Sequence, residues 1–587
     1  MLLTLRRPFR PGTGRAALAG LGFALAYTLA FPPVGFWPAV FLGPLPFFIL
    51  VLWAGDRRAG GDRSLRPASL AFWAGAGTLP FWLLTQNWVT NVSALGYVPM
   101  CAVLAFLCGL FVWAGVRVRA SFPRVPALLA LPVLWVAAEA FRGEIAFEGY
   151  PWYLAAHPLI DAFDGLLAMP AALAGTYFVS LLAAIPAAVG VSRIARSRRA
   201  DLAVRGGVLA ALLVGWPLLG RALLPPAPEA TADIAVVQTN FRMDPTRPWT
   251  PADRLADWSD AFELILEAGG LAPDGEPAGE PPDLIVLPES GLPADTLDEA
   301  ALAPQRDAGL NWPIDAPGGP TALFTFQIAD ELRALQRLVG VPMLVNAGGY
   351  DAPRLVRTEG GYRLEADARH NSVFLVRNAR VEARYDKLRL TPFGEVMPYI
   401  SASDWLEDRL LALGAAGRTL DLAPGAEPLV FEVPTGAGSP LRLATPICFE
   451  ATEGDLCRTL AFAGGRRRAD LLINQTNDGW FRWWDPGRAT HLLTARWRSI
   501  ELATPMVRAA NTGISGVIDA RGRVLATLEP RRGGVLRCAV PLGSAVTPYA
   551  RSGDWLPRGA MIAAVAAILG SFFVRPPQRP EPIPEGT

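Results

Sequence analysis

The sequence predicts an α-helical membrane bundle of about eight transmembrane helices joined to a soluble α/β domain. Three observations predict it. The chain is 587 residues long, too long for one ordinary domain. Its composition is 51% hydrophobic and 18% charged, a balance shifted towards membrane proteins. Long apolar runs fill its first part and recur once near its end.

The candidate spans lie near Ala16–Phe31, Phe36–Ala54, Ala68–Trp88, Tyr97–Val116, Val125–Phe141, Leu166–Val191 and Gly206–Leu224, with an eighth near Ala560–Val574. Several fall short of the roughly 20 residues a spanning helix needs, so their ends are soft by several residues. The first is not a signal peptide, because no small-residue cleavage site follows it and further spans come at once.

Loop charge sets the orientation. Arg6, Arg7, Arg10 and Arg15 precede the first span, and Arg57, Arg58, Arg63 and Arg66 join the second to the third. Arg117, Arg119 and Arg124 join the fourth to the fifth; Arg193, Arg196, Arg198, Arg199 and Arg205 join the sixth to the seventh. The intervening loops carry only Arg142, beside Glu144, Glu148, Asp161 and Asp164. This alternation follows the positive-inside rule at every loop. It predicts an inside N-terminus and an outside location for everything after about Leu224. Buried helices of a soluble protein would have no reason to alternate arginine.

Four regions follow. Residues 1–224 form the seven-helix membrane domain, and Pro225–Ala232 is a Pro/Ala linker. Residues 233–549 are an outward-facing α/β domain, 559–575 a last membrane helix and 576–587 a cytoplasmic Pro-rich tail. Short β-like runs occur at Ile234–Gln238, Leu284–Leu287, Met343–Asn346, Val373–Val376, Leu441–Ala444, Leu471–Ile473 and Gly516–Asp519. Amphipathic helical stretches lie at Arg254–Glu267 and Thr325–Leu338. The Pro/Gly/Asp-rich stretches Leu271–Pro282 and Ala303–Pro320 read as loops or insertions.

A net charge of +1 gives no basic footprint, which speaks against nucleic-acid binding. Among 54 Lys+Arg residues only one is lysine, Lys387. Either it survives by chance or that place needs a compact ammonium able to change its protonation state. The five cysteines (Cys101, Cys108, Cys448, Cys457, Cys538) and three histidines show no metal-ligand spacing, so neither a zinc site nor a Cys-His dyad is expected. Cys101 and Cys108 read as packing residues of one span; Cys457 and Cys538 share the oxidising side, and the sequence leaves open whether they pair.

Three segments carry chemistry. Leu284-Ile-Val-Leu-Pro-Glu289 is a buried strand ending in a carboxylate at the sheet's rim; the competing reading is a helix N-terminal carboxylate. Arg384-Tyr-Asp-Lys387 leads through Pro392-Phe-Gly to Glu395; the competing reading is a solvated basic strand end. Leu441-Arg-Leu-Ala-Thr-Pro-Ile-Cys448-Phe449-Glu450 runs a strand into a turn that presents a cysteine where a helix begins. That position lowers a thiol pKa and supplies backbone N–H groups to an oxyanion. An isolated cysteine is more often an inert small hydrophobe.

Together these segments resemble the carbon–nitrogen hydrolase (nitrilase) superfamily over roughly Asp233–Pro541. The resemblance extends to Asn474-Gln-Thr-Asn-Asp478-Gly-Trp480-Phe481 and Asn511-Thr-Gly-Ile-Ser515. With seven spans before and one after, the whole chain resembles the apolipoprotein N-acyltransferase family. Phe31-Pro-Pro-Val-Gly-Phe-Trp37 and Glu148-Gly-Tyr-Pro-Trp152 look like that family's loop signatures. Phe449 departs from it, standing where the family often has tyrosine, and the 303–320 insertion has no placed counterpart.

The resemblance implies a nitrilase-like αββα sandwich in the periplasm, borne on a bacterial inner membrane, with a Cys-Glu-Lys triad and no cofactor. Cys448 would carry a thioester, Glu289 would move protons, and Lys387 with the N–H after Cys448 would hold the oxyanion. Glu395 and Glu450 would orient them, unless they are surface carboxylates. The implied donor is the sn-1 acyl chain of a phospholipid, and the acceptor the α-amine of a diacylated apolipoprotein. The enzyme is expected to work as a monomer. Trp249, Phe393, Trp405, Trp480 and Phe481 are interface or core aromatics, with Trp249, Phe393 and Trp480 the expected substrate contacts. A membrane-tethered amidase using water is the nearest rival. A transporter or scaffold is disfavoured because the spans hold almost no ionisable residue besides Glu139.

Overall fold

The computed structural model describes residues 12–192, 197–242, 249–316, 319–359, 361–396, 422–435 and 438–574. Arg6, Arg7, Arg10, Arg193, Arg196, Trp405 and the tail 576–587 lie outside the described residues. The chain divides into two compact units, Met1–Leu223 with Asp554–Thr587, and Leu224–Gly553.

The first unit is helical. Five of its stretches are long and apolar enough to cross a membrane: Trp37–Ala59, Pro67–Thr85, Ala94–Ser121, Arg198–Ala222 and Trp555–Phe573. Helices Thr13–Ala30, Ala127–Ala140 and Thr176–Val191 accompany them. Outward-facing Leu25, Phe72, Phe106, Leu213 and Ile562 are exposed, as suits a lipid-facing surface. The expected span Leu166–Val191 is broken. Its regular helix starts only at Thr176, behind a four-residue helix Ala171–Ala174, because Pro170 starts that helix and Gly175 sits at φ 82° between the two. Glu139 is buried and satisfied on one side, accepting from Trp135 Nε1 at 3.1 Å and Ala155 N at 2.8 Å. The last helix packs Leu556, Ala560 and Met561 against Val136, Ala140, Leu154 and Tyr177.

The second unit is α/β. Its main strands are β1 (Ala230–Gln238), β2 (Leu284–Val286), β3 (Met343–Asp351), β4 (Ala368–Arg377), β5 (Arg380–Asp386), β6 (Val430–Val433), β7 (Leu441–Ala444), β8 (Leu471–Thr476), β9 (Met506–Ala510), β10 (Gly516–Ile518), β11 (Val524–Thr527) and β12 (Gly534–Leu542). They make two mixed six-stranded sheets, ordered β12-β1-β2-β3-β4-β5 and β6-β7-β8-β9-β10-β11. In each, three adjacent strands run parallel (β1-β2-β3 and β7-β8-β9) and antiparallel strands flank them.

Side-chain alternation explains why the central strands read as continuous apolar runs. Val236, Val286, Leu344 and Val373 share one core with Phe431, Leu443, Ile473 and Val507 of the other sheet. Their neighbours Val237, Ile285, Val345 and Phe374 face the opposite way, onto Trp258, Ile265, Ile328 and Leu332 of helices Pro251–Ala268 and Gln327–Val339. All seven anticipated β runs fall within strands or end within a residue of one. The stretch 303–320 is a correction: it holds the end of helix Glu299–Asp307 and most of a hairpin, Asn311–Ala316 with Gly319–Phe324. The hairpin forms because Ile314 and Leu323 are buried in the outer core despite the surrounding Pro and Gly.

Small residues let the first helices of the membrane unit approach closely. A Cβ on Gly77 would strike the Ala17 carbonyl oxygen and lie 2.9 Å from Gly20 Cα, so neither glycine tolerates a side chain. Gly77→Val is expected to destabilise the bundle by about 1–3 kcal/mol or to prevent its assembly, the usual cost of overpacking. Thermal unfolding in detergent, set beside Gly206→Ala at an open position, measures this.

Candidate active site

Strand ends bring the chemical groups together. Glu289 lies three residues past β2, Lys387 directly follows β5, and Cys448 lies four residues past β7. Glu289 and Lys387 thus rise from one sheet and Cys448 from the other. Gln475 on β8 ties the sheets beside them, donating to Leu287 O at 2.5 Å and Leu344 O at 3.2 Å.

Lys387 is 1% exposed, so the solvated-strand reading fails. Its Nζ donates to Glu395 Oε2 at 2.6 Å and Thr391 Oγ1 at 3.1 Å, and lies 4.0 Å from Glu289 Oε1. Burial alone would lower its pKa, but Glu395 and Glu289 reverse this and hold the ammonium well above its ordinary value.

Glu289 is also buried. Its Oε1 accepts from Asn371 Nδ2 at 2.8 Å, its Oε2 from Asn477 N at 2.8 Å, and the Cys448 thiol hydrogen-bonds to it. Burial raises its pKa; Glu395 adds to this and Lys387 opposes it. Glu395 goes the other way. Burial works against its charge, but Lys387, Thr391 N at 2.8 Å and Asn371 Nδ2 at 3.0 Å keep it ionised. Two neighbouring carboxylates are thereby driven apart, one suited to carry a proton and one fixed as a counter-ion.

Cys448 begins a five-residue 3-10 turn, Cys448–Thr452, with the left-handed φ of 53°, strained for a residue with a Cβ. Its Sγ accepts from Thr476 Oγ1 at 3.3 Å. The expected lowering of its pKa is a correction: burial, then the Glu289 charge, push the thiol up. The turn is too short to act as a helix terminus, and the nearest charge is an anion.

Glu450 is wholly buried and does not bond Lys387 directly. It joins the two loops instead. Its carboxylate accepts from Leu388 N at 2.7 Å and Arg389 N at 3.0 Å on one loop, and from Ile447 N at 2.7 Å on the other. Tyr385 Oη donates to both its oxygens at 3.1 and 3.0 Å. Phe449, beside the nucleophile, is buried.

The aromatics are less uniform. Trp249 meets Phe241 edge-on at 6.1 Å, lies under Arg254 and bonds Asp257; among the described residues none of these contacts reaches the three chemical groups. Phe393 is 44% exposed, Trp480 half-buried and Phe481 buried. All five cysteines are free, which answers the question the sequence left open for Cys457 and Cys538: Cys457 is buried and donates to Glu450 O at 3.3 Å.

Several site residues escaped the motif reading. Asn371 bridges Glu289 and Glu395, and its own Oδ1 accepts from Asn346 Nδ2 at 2.8 Å. Asn346 Oδ1 in turn accepts from Ser290 N at 3.0 Å. Arg508 and His491, missed as well, form a further buried network on the other sheet with Asn474 and Asp478 of the motif quoted above.

Comparison with known proteins agrees with both halves of the chain. Residues 23–189 match the apolipoprotein N-acyltransferase N-terminal domain, and residues 233–547, more than half the chain, match carbon–nitrogen hydrolase. Apolipoprotein N-acyltransferase of Bordetella bronchiseptica is 32% identical over 432 residues, covering 72% of this chain and 69% of that protein. The chain belongs to the apolipoprotein N-acyltransferase family of carbon–nitrogen hydrolases. Apolipoprotein N-acyltransferase of Rhodopseudomonas palustris is 28% identical over 599 residues, with 96% of each chain covered. That of Bradyrhizobium diazoefficiens is 29% identical over 584 residues, with 95% of each covered. As a member of the apolipoprotein N-acyltransferase family, the chain is an acyltransferase with several apolar helices.

Burial pushes Glu450 up from 4.5 to about 7, against the N–H donors that favour its charge. A folded-state pKa above the unfolded one gives stability that is complete below the unfolded value and lost as pH rises through the folded one. Stability is therefore expected to fall between about pH 4.5 and 7 and to level off above. Glu450→Gln should remove that component and cost about 1–3 kcal/mol, since an amide leaves a backbone donor unpaired. Melting temperatures of both proteins across this range are the measurement.

Proposed function

We propose that the chain transfers the sn-1 acyl chain of a phospholipid, through a Cys448 thioester, to the α-amine of the S-diacylglyceryl cysteine of an apolipoprotein. What supports the reading is the one buried cluster in which Glu289 accepts the Cys448 thiol and lies 4.0 Å from the only ammonium side chain.

The raised thiol pKa means that Cys448 rests protonated. As sulfur attacks the ester carbonyl, its proton passes to Glu289. The oxyanion is held by Lys387 and by the backbone N–H of Phe449. The Cys448 carbonyl is drawn to Asn474 Nδ2 at 3.3 Å, so the N–H across the same trans peptide points the opposite way. Collapse expels the lysophospholipid alkoxide, which takes the proton from Glu289. The incoming amine then attacks the thioester, Glu289 receives its proton, and the departing thiolate recovers it. Glu395 keeps Lys387 charged through both halves. Trp249, Phe393 and Trp480 are proposed substrate contacts, Phe393 being the most exposed.

The two amphiphilic substrates account for the rest of the chain. The arginine alternation supports eight crossings, seven before the α/β domain and one after, and an αββα domain facing the periplasm from a bacterial inner membrane. The proposed division is 1–224, 233–549, 559–575 and 576–587. A site held at the bilayer meets both lipids by diffusion in two dimensions, as a monomer.

Mass spectrometry of the full chain after incubation with phosphatidylethanolamine vesicles should find an acyl adduct on Cys448, discharged by a diacylated lipopeptide. Cys448→Ala should give none. Lys387→Met should slow adduct formation about 10²–10³-fold, the cost of one oxyanion donor. An adduct that decays equally fast with and without the lipopeptide would instead identify an enzyme that hands its acyl group to water.

A further inference from the structure

We propose that Arg508 is a positioning residue for the nucleophile, acting through the side-chain amide of Asn474. The inference rests on Cys448 being the acylated residue.

Asn474 and Arg508 are direct partners on the adjacent parallel strands β8 and β9, and both are wholly buried. Arg508 Nη1 donates to Asn474 Oδ1 at 2.5 Å. A guanidinium has donors only, so the Asn474 oxygen must face it and the amide NH₂ must face away. That NH₂ donates to Pro446 O at 2.8 Å and Cys448 O at 3.3 Å. These carbonyls bracket the left-handed turn at Cys448. Reversing the amide would set its oxygen against two carbonyl oxygens. Arg508 therefore selects the one orientation that holds the strained peptide and aims the Phe449 N–H at the oxyanion.

The other arm of Arg508 is anchored. Its Nη2 donates to Asp478 Oδ1 at 3.1 Å and Oδ2 at 3.0 Å, and Asp478 Oδ1 also accepts from His491 Nδ1 at 2.8 Å. Arginine suits this place because its rigid fork serves Asn474 and Asp478 together, which a lysine point charge cannot. Asp478 belongs to the Asn474–Phe481 segment, whose Asn477 N–H binds Glu289. One guanidinium thus steadies the elbow of the nucleophile and the loop that holds the base.

A double-mutant cycle on the full-length protein tests this, reading the rate of Cys448 acylation by phosphatidylethanolamine vesicles and the vesicle concentration giving half that rate. Asn474→Ala and Arg508→Lys should each slow acylation about 10²-fold, as misplacement of a reacting group does, with the half-saturating concentration little changed. If Arg508 acts through Asn474, the double variant is no slower than the worse single one. A double variant slower by the product of the two effects, or Arg508→Lys at the wild-type rate, overturns the proposal. Should the arginine variant fail to accumulate, Asn474→Asp decides: its carboxylate still accepts from Arg508 but cannot donate to either carbonyl, so it must acylate slowly, and a fast Asn474→Asp enzyme refutes the idea. Cys448→Ala separates the two readings. Acylation of that variant sinks the site itself, whereas a silent Cys448→Ala with an additive cycle sinks only the role of Arg508.

Discussion

An ammonium cannot be buried without anions around it, and the polar groups packed about Lys387 meet that demand. Removing Lys387 from water would carry a penalty of several kcal/mol if it stood alone. Glu395 at 2.6 Å and Glu289 at 4.0 Å answer it, and Asn371 holds both carboxylates. Two anions around one cation leave a surplus negative charge. Burial raises Glu289 and the second carboxylate adds to it, Lys387 keeps Glu395 ionised, and burial together with the Glu289 charge makes the nearby thiol hold its proton. The resting state of the pocket follows from burial and charge pairing together, without any special property of the cysteine.

The sandwich serves the same end. The site draws one wall from each sheet, so it exists only while the shared core of Val236, Val286, Leu443 and Ile473 holds them face to face. Gln475 and Glu450 stitch the rims, one by donating to carbonyls and the other by collecting N–H groups. The Gln475 NH₂ and the Glu450 carboxylate make these bonds in a place where water does not reach, which gives the loops a single arrangement.

Much of this was legible in the sequence, for definite reasons. The central strands announce themselves as apolar runs because both their faces are covered. Lys387 stood out because every other residue of the Lys+Arg set is arginine. Cys448, Glu289 and Glu395 sit just past strands or in turns, where a short run of sequence carries the signal. What motifs do not carry is the lateral network. Asn371 and Arg508 lie within strands, and only the topology says what they face. Arg508 did leave a mark, a charge inside the five-residue buried strand Met506–Ala510, which an apolar pattern alone would have excluded. The thiol went the other way from expectation because burial and the Glu289 charge outweigh the little that a five-residue 3-10 turn supplies. In the membrane unit hydropathy found the apolar stretches but not the interruption at Pro170 and Gly175, which lies inside one apolar run.

The solitary lysine has a consequence for self-protection. A thioester waiting for its acceptor is an acylating agent towards any neutral amine within reach, and surface lysines are the usual casualties. This chain offers none: the other 53 of its 54 Lys+Arg residues are arginine, whose guanidinium stays protonated at all biological pH values. The one side-chain amine is locked in the charged form by Glu395, and charged amines are not nucleophiles. An enzyme built this way has no neutral lysine of its own to brand while it holds an activated acyl group.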